Sequence, residues 1–159
     1  MNSLIEELKC QYQSNLAMMQ SLLEDCPDEL WTKAFAGVPF WREAYHALFW
    51  IYNFVGPKDK RFHFQPFGKD IDPRLFTLPN NTCEREEAIQ YAAQTMVYID
   101  QVFEAMTFDE LNGPDEYDES EFRNVYHRLM YGLRHGQHHV GKLTAYLNLE
   151  GIQLNHWKG

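Results

Sequence analysis

Apolar side chains recur every three or four residues in four separate stretches of the chain, and the strict alternation of a half-buried strand persists nowhere. The first stretch opens at Ser3-Leu-Ile-Glu6, the spacing of a capping box in which Ser3 accepts from the backbone and Glu6 reaches back. Leu4, Leu8, Tyr12, Leu16, Met19 and Leu23 follow, and Pro27 ends the run. The second runs from about Pro39, a favourable first-turn residue, through Phe40, Trp41, Ala44, Tyr45, Leu48, Ile51 and Tyr52 to a Gly56-Pro57 stop. Asn81 with Glu84 announces the third, whose stripe is Ala88, Ala92, Thr95, Met96, Ile99, Val102, Phe103 and Met106 before Gly113-Pro114. The fourth begins near Asp118 or Ser120 and continues to Gly151 through Phe122, Val125, Leu129, Leu133, Val140, Leu143 and Leu147. At ~30 residues it spans about 45 Å.

These periods predict an all-α protein: one domain over residues 1–159, a four-helix bundle with a long crossover between its second and third helices. The stretch from Gly56 to Asn80 has no period and carries Pro57, Pro66, Pro73 and Pro79. It exceeds the roughly 2–8 residues of an ordinary bundle turn, so it is expected to cross from one end of the bundle to the other. Its aromatics Phe62, Phe64, Phe67 and Phe76 suit a lid over a pocket, or more simply a plug at the bundle end or a dimer contact.

Charge and cysteine content narrow the setting. With 14 Lys and Arg against 23 Asp and Glu, the formal charge of −9 opposes binding to a nucleic-acid backbone or an anionic membrane. Cys10, Cys26 and Cys83 form no CxxC pair, which fits a reducing cytoplasm better than a disulfide framework or a zinc ribbon. The opening MNSLIEELKC lacks the pattern of a signal peptide, and no apolar run reaches membrane-span length. A cytoplasmic, soluble protein is the expectation.

The histidines carry the candidate chemistry. His135 and His139 are four positions apart on the fourth helix, about 40° apart on one face, so both rings can aim at one point. His138 is turned about 100° from His139, so one ion does not readily use all three. A bare HxxxH pair is a weak metal signal, and partly exposed or hydrogen-bonded core histidines are its ordinary alternative. A third ligand from another helix strengthens it. His46, in WREAYHALFW, lies mid-way along the second helix, where an isolated imidazole needs a buried partner. His46, His135 and His139 together make a three-nitrogen face with an open coordination position, the form of a catalytic zinc or nickel site.

Neighbouring residues refine the picture. Gly132, Gly136 and Gly141 sit inside the fourth helix at a cost of about 1 kcal/mol each relative to Ala, so they either open a groove or admit a close helix. Close packing is the simpler reading. Glu43 and His46 form one Glu-x-x-His pair, whereas a di-iron bundle needs two pairs and two further glutamates. Glu43 is expected either to orient His46 or to sit solvated on the helix surface. His63, His127 and His156 are read as surface residues, and Cys83 stands in no nucleophile signature.

A histidine mid-way along the second helix, then His135-x-x-x-His139-x-Gly141 in a long final helix, resembles the DinB-like superfamily of metal-binding four-helix bundles. The likeness covers nearly the whole chain, including the long link and the ending LTAYLNLEG. It implies His46, His135 and His139 as ligands and a double histidine at 138 and 139. It departs at Lys142, where the family often has Gln; the ammonium either meets an anionic substrate or points to solvent. The resemblance further implies metal-dependent chemistry on small molecules, such as thiol transfer with a low-molecular-weight thiol, isomerisation or hydrolysis, and frequent homodimers.

Two functions from different classes are therefore expected. The leading one is a mononuclear metal enzyme, a thiol S-transferase or hydrolase, in which zinc or nickel lowers the pKa of a thiol or water. Glu43, Tyr45 and His138 are its candidate bases by nearness in sequence alone. The other is a non-catalytic dimeric binding or interaction bundle with a structural or vestigial metal site.

Overall fold

A computed structural model describes residues 3–57, 68–116 and 122–154. The chain is mostly helical, as the all-α reading expects, with six helices and one small hairpin among these residues. Helix α1 spans Ser3–Asp25 and buries Ile5, Leu8, Tyr12, Leu16, Met19 and Leu23 on one face. Beyond Pro27 comes a single turn, α2 (Asp28–Trp31), and then β1 (Ala34–Phe35) and β2 (Val38–Pro39), paired antiparallel. Ala36 and Gly37 both have positive φ, as a tight two-residue hairpin loop requires. Two-residue strands are too short to leave a periodic signature, so this hairpin is not legible in the apolar pattern.

Helix α3 (Phe40–Val55) opens after Pro39 and is buried on almost every side. A helix apolar all round belongs in the interior, yet α3 also carries Arg42, Glu43 and Asn53, each at most 5% exposed. Buried polar groups need partners, and those of Arg42 and Glu43 tie α3 to the segments packed around it.

Helix α4 (Arg85–Ala105) starts one turn later than Asn81 suggests: Glu84 is the cap, reciprocated by Glu87. The Asn81 side chain instead accepts from the Thr82 amide. A short α5 (Phe108–Asn112), capped by Thr107, precedes α6 (Val125–Leu149), whose cap Asn124 accepts from the His127 amide at 2.8 Å. The predicted start at Asp118 or Ser120 lies outside the described residues, and Phe122 precedes the helix, packed against Phe54 and Tyr131.

The long helices pack in the cyclic order α1, α4, α3, α6 around one apolar cluster that includes Tyr12, Leu48, Tyr91, Phe103, Leu129 and Leu143. Pairings fix their directions. Lys9 meets Glu104 and Gln13 meets Asp100, so α1 and α4 are antiparallel. Arg128 reaches the last carbonyls of α3 while Lys33, just before α3, pairs with Glu150, so α3 and α6 are antiparallel. Arg85 at the start of α4 bonds the Cys26 carbonyl, near where α3 begins. Helices α3 and α4 are thus parallel neighbours, and only a connection as long as the helix joins them.

The return is visible. Along α3, Tyr45 donates to the Ile71 carbonyl at 3.3 Å, His46 to Pro73 at 2.6 Å and Arg42 to Arg74 at 2.7 Å and to Thr77. Phe62, Phe64 and Phe67 lie outside the described residues. Phe76 is 86% exposed, so it plugs nothing within this chain.

Close approach of α6 depends on two glycines. A Cβ at Gly132 would stand 2.6 Å from the Tyr12 hydroxyl and 2.7 Å from Phe54 Cβ; one at Gly136 would stand 2.7 Å from Asn15 Oδ1 and 2.9 Å from Ile51 Cδ1. The packing reading holds for both. A Cβ at Gly141 would meet nothing within 4 Å among the described residues.

Candidate metal centre

Antiparallel packing of α3 on α6 brings His46 opposite the His135–His139 pair. His135 Nε2 lies 3.3 Å from His46 Nε2 and 3.2 Å from His139 Nε2, and all three ligand atoms fall within 4.8 Å of one another. Neutral imidazole has one donor and one acceptor nitrogen, and the opposite hydrogen bond decides which is which. His46 Nδ1 faces the Pro73 carbonyl at 2.6 Å and must donate there. His139 Nδ1 donates to Glu43 Oε1 at 2.5 Å. In the neutral ring each therefore turns its acceptor nitrogen, Nε2, inward.

His135 cannot resolve the crowding. A proton on its Nε2 serves one neighbour and leaves the other lone pair unanswered, while its buried Nδ1 has no partner among the described residues. Four tetrahedral ligands at a zinc–nitrogen distance of ~2.05 Å stand about 3.3 Å apart, which is the separation of the two close pairs. The donor set fits a divalent transition ion better than it fits itself.

Electrostatics agree with the geometry. Burial lowers the His46 imidazole to about 4 despite the opposing Pro73 bond. Burial, then repulsion by His139 and His46, takes His135 to about 3. Both are uncharged at neutral pH, the form in which imidazole ligates.

Glu43 corrects both sequence expectations. Its side chain is completely enclosed rather than solvated, and it orients His139 rather than His46. Burial alone raises its pKa, but the bonds from His139 and then Lys142 outweigh this and hold it at about 2. Lys142 Nζ lies 2.5 Å from Glu43 Oε1, so the residue in the family's Gln place points neither to a substrate nor freely to solvent. The Pro73 carbonyl, which orients His46 in place of Glu43, leaves no trace in the side-chain pattern. Glu43 does leave one: a carboxylate inside the apolar run FWREAYHALFW.

The remaining candidates separate cleanly. Tyr45 is fully buried, donates to Ile71, and burial pushes its hydroxyl pKa up, so it is no base. His138 is exposed beside His139, with ring centroids 5.0 Å apart. His127 is half-buried at the start of α6, while His63 and His156 lie outside the described residues. Cys83 is 2% exposed and its thiol is pushed up to about 12 by burial, which suits packing and not nucleophilic attack.

His46 and His135 are half-buried and His139 is buried. Trp50 stands edge-on to His46, and Tyr131 stacks beside His135. A separate cavity of about 740 Å³ is lined by Val55, Tyr98, Met106, Asp109 and Arg128 among others, with no histidine of the cluster among its described lining residues. The uncommitted nitrogens, not that cavity, mark the candidate site.

Comparison with protein-family models, with curated proteins and with solved structures finds no match to this chain.

Proposed function

We propose that this chain is a single-domain four-helix bundle of the DinB-like kind and a mononuclear metal-dependent enzyme acting on small molecules, as a thiol S-transferase or hydrolase. The observation that carries this reading is the convergence of His46, His135 and His139 through Nε2, with the outer nitrogens of His46 and His139 already committed to Pro73 and Glu43. These three residues would hold zinc or nickel, both suited to imidazole. When bound, such an ion supplies Lewis acidity that makes a thiol or water more acidic at neutral pH. The protein's own part is to fix the ring orientation of His46 and His139 through Pro73 and Glu43, with Trp50 edge-on to His46 and Tyr131 stacked beside His135.

A small-molecule substrate, a low-molecular-weight thiol as co-substrate and a homodimeric assembly complete the proposal, with neither nucleic acid nor membrane as partner. No helix among the described residues is long and apolar enough to cross a membrane. The test is turnover by zinc- and nickel-loaded protein, with cysteine plus an aryl halide for transfer and an activated aryl ester for hydrolysis. Turnover lost in a folded His46→Ala variant supports the enzyme. Metal bound without turnover leaves the non-catalytic bundle; full turnover in His46→Ala removes these histidines from the chemistry.

A further inference from the structure

Neither packing nor imidazole geometry calls for the pair formed by Glu43 and Lys142. A carboxylate is expensive to enclose, and a neutral side chain at position 43 would fill the space more cheaply. Glu43 Oε1 nevertheless receives both His139 Nδ1–H and the Lys142 ammonium, each at 2.5 Å, while Oε2 is buried with no partner among the described residues. Lys142 follows His139 by three residues on α6, and its side chain is 32% exposed, so it reaches inward from the rim on its apolar stem.

Two donors therefore share one acceptor atom. A carboxylate that binds an imidazole N–H draws on that proton and makes the opposite nitrogen a stronger metal donor. An ammonium on the same oxygen withdraws part of that charge, and adds a positive charge of its own beside a site suited to a dication. Both effects have the same sign.

Resting on the metal-centre reading above, we propose that Lys142 is a positioning residue that acts through Glu43 to moderate the donor strength of His139. The three imidazoles then hold a divalent transition ion less tightly than they would beside an unopposed carboxylate. The consequence is a site that keeps its electrophilic character and exchanges its metal.

Chelator competition with zinc and with nickel tests this on purified full-length variants whose folding is checked by thermal unfolding. Glu43→Gln is expected to weaken binding by about 10–100-fold, the usual range for an outer partner of a metal-bound histidine. Lys142→Met is expected to tighten it by about tenfold, with Lys142→Gln, which keeps an N–H donor without charge, moving in the same direction. Lys142→Arg retains the wild-type affinity. In the Glu43→Gln background, Lys142→Met has much less effect, because the carboxylate through which it acts is gone.

A merely structural role would weaken binding on loss of either residue. Unchanged or weaker binding in folded Lys142→Met and Lys142→Gln overturns the proposal while leaving the metal centre intact. Failure of the wild-type protein to bind either metal overturns the centre, and this inference with it.

Discussion

Two buried polar clusters tie α3 to α6, and they are built on opposite principles. At the end of α3, Arg128 gives its guanidinium to Asp115 at 2.6 Å, to Gly56 O at 3.3 Å and to Phe54 O, closing carbonyls that a helix terminus leaves open. Arg128 and Asp115 are 4% and 5% exposed, and among the described residues neither has a buried atom left without a partner. Further along α6, the histidine cluster brings three Nε2 atoms together and leaves His135 Nδ1 and Glu43 Oε2 without a partner among the described residues. One cluster is complete among the described residues; the other keeps buried atoms without partners and could hold a cation. Burial of polar groups alone does not mark a site. What marks it is ring nitrogens converging with too few protons between them to answer every lone pair.

The sharpest way to break the comparison is Arg128→Met. It strands the buried Asp115 carboxylate and should cost about 3–5 kcal/mol in urea denaturation, while the zinc affinity of the folded fraction stays unchanged. The histidine cluster should respond in the opposite manner. Zinc at about 100 times its Kd should stabilise the wild type by about 2.7 kcal/mol and His135→Ala not at all. Without metal, the same His135→Ala change should stay within about 1 kcal/mol of wild type, since it removes a ring with one unsatisfied buried nitrogen. A metal-free loss as large as that of Arg128→Met would make the two clusters alike.

Next in size is helix approach. Gly136→Ala drives a Cβ into Asn15 and Ile51, with an expected loss of about 1–3 kcal/mol and weaker metal binding, since α6 must back away from His46. Gly141→Ala, with open space around it, should instead gain up to about 1 kcal/mol and leave metal binding alone. Guanidine denaturation and chelator titration of both variants check this.

The smallest effect concerns the thiols. Burial holds Cys26 and Cys83 at about 12, against about 9 for an ordinary thiol, whereas Cys10 is exposed. A disulfide reagent at pH 8 should label one thiol in the native protein and three in denaturant. Raised folded values mean that the unfolded chain releases these protons first. Their contribution is therefore complete below about pH 9 and is lost as pH rises toward 12, visible as a falling denaturation midpoint.

Much of this architecture is legible in the sequence, and the failures are local. The end of α1 and the bounds of α3 follow from Pro27, Pro39 and Gly56, because proline and glycine act on their own backbone whatever surrounds them. The start of α4 is ambiguous because Asn81 and Glu84 satisfy the same spacing rule as Glu84 and Glu87, and only the fold chooses between them. His135 and His139 are readable from helical spacing. Bringing His46 to them needs a contact across 89 residues, which no local rule contains. The outer partners are least accessible: the Pro73 carbonyl is backbone, and Lys142 looks like a surface residue until α3 places Glu43 beneath it.

The measurement that bears most directly on the account is the metal content of untagged protein purified without added metal, beside a folded His135→Ala, His139→Ala double variant. About one zinc or nickel ion per chain, lost in the double variant, is the predicted result. A wild-type protein that holds no metal, even after exposure to zinc and to nickel, would contradict it.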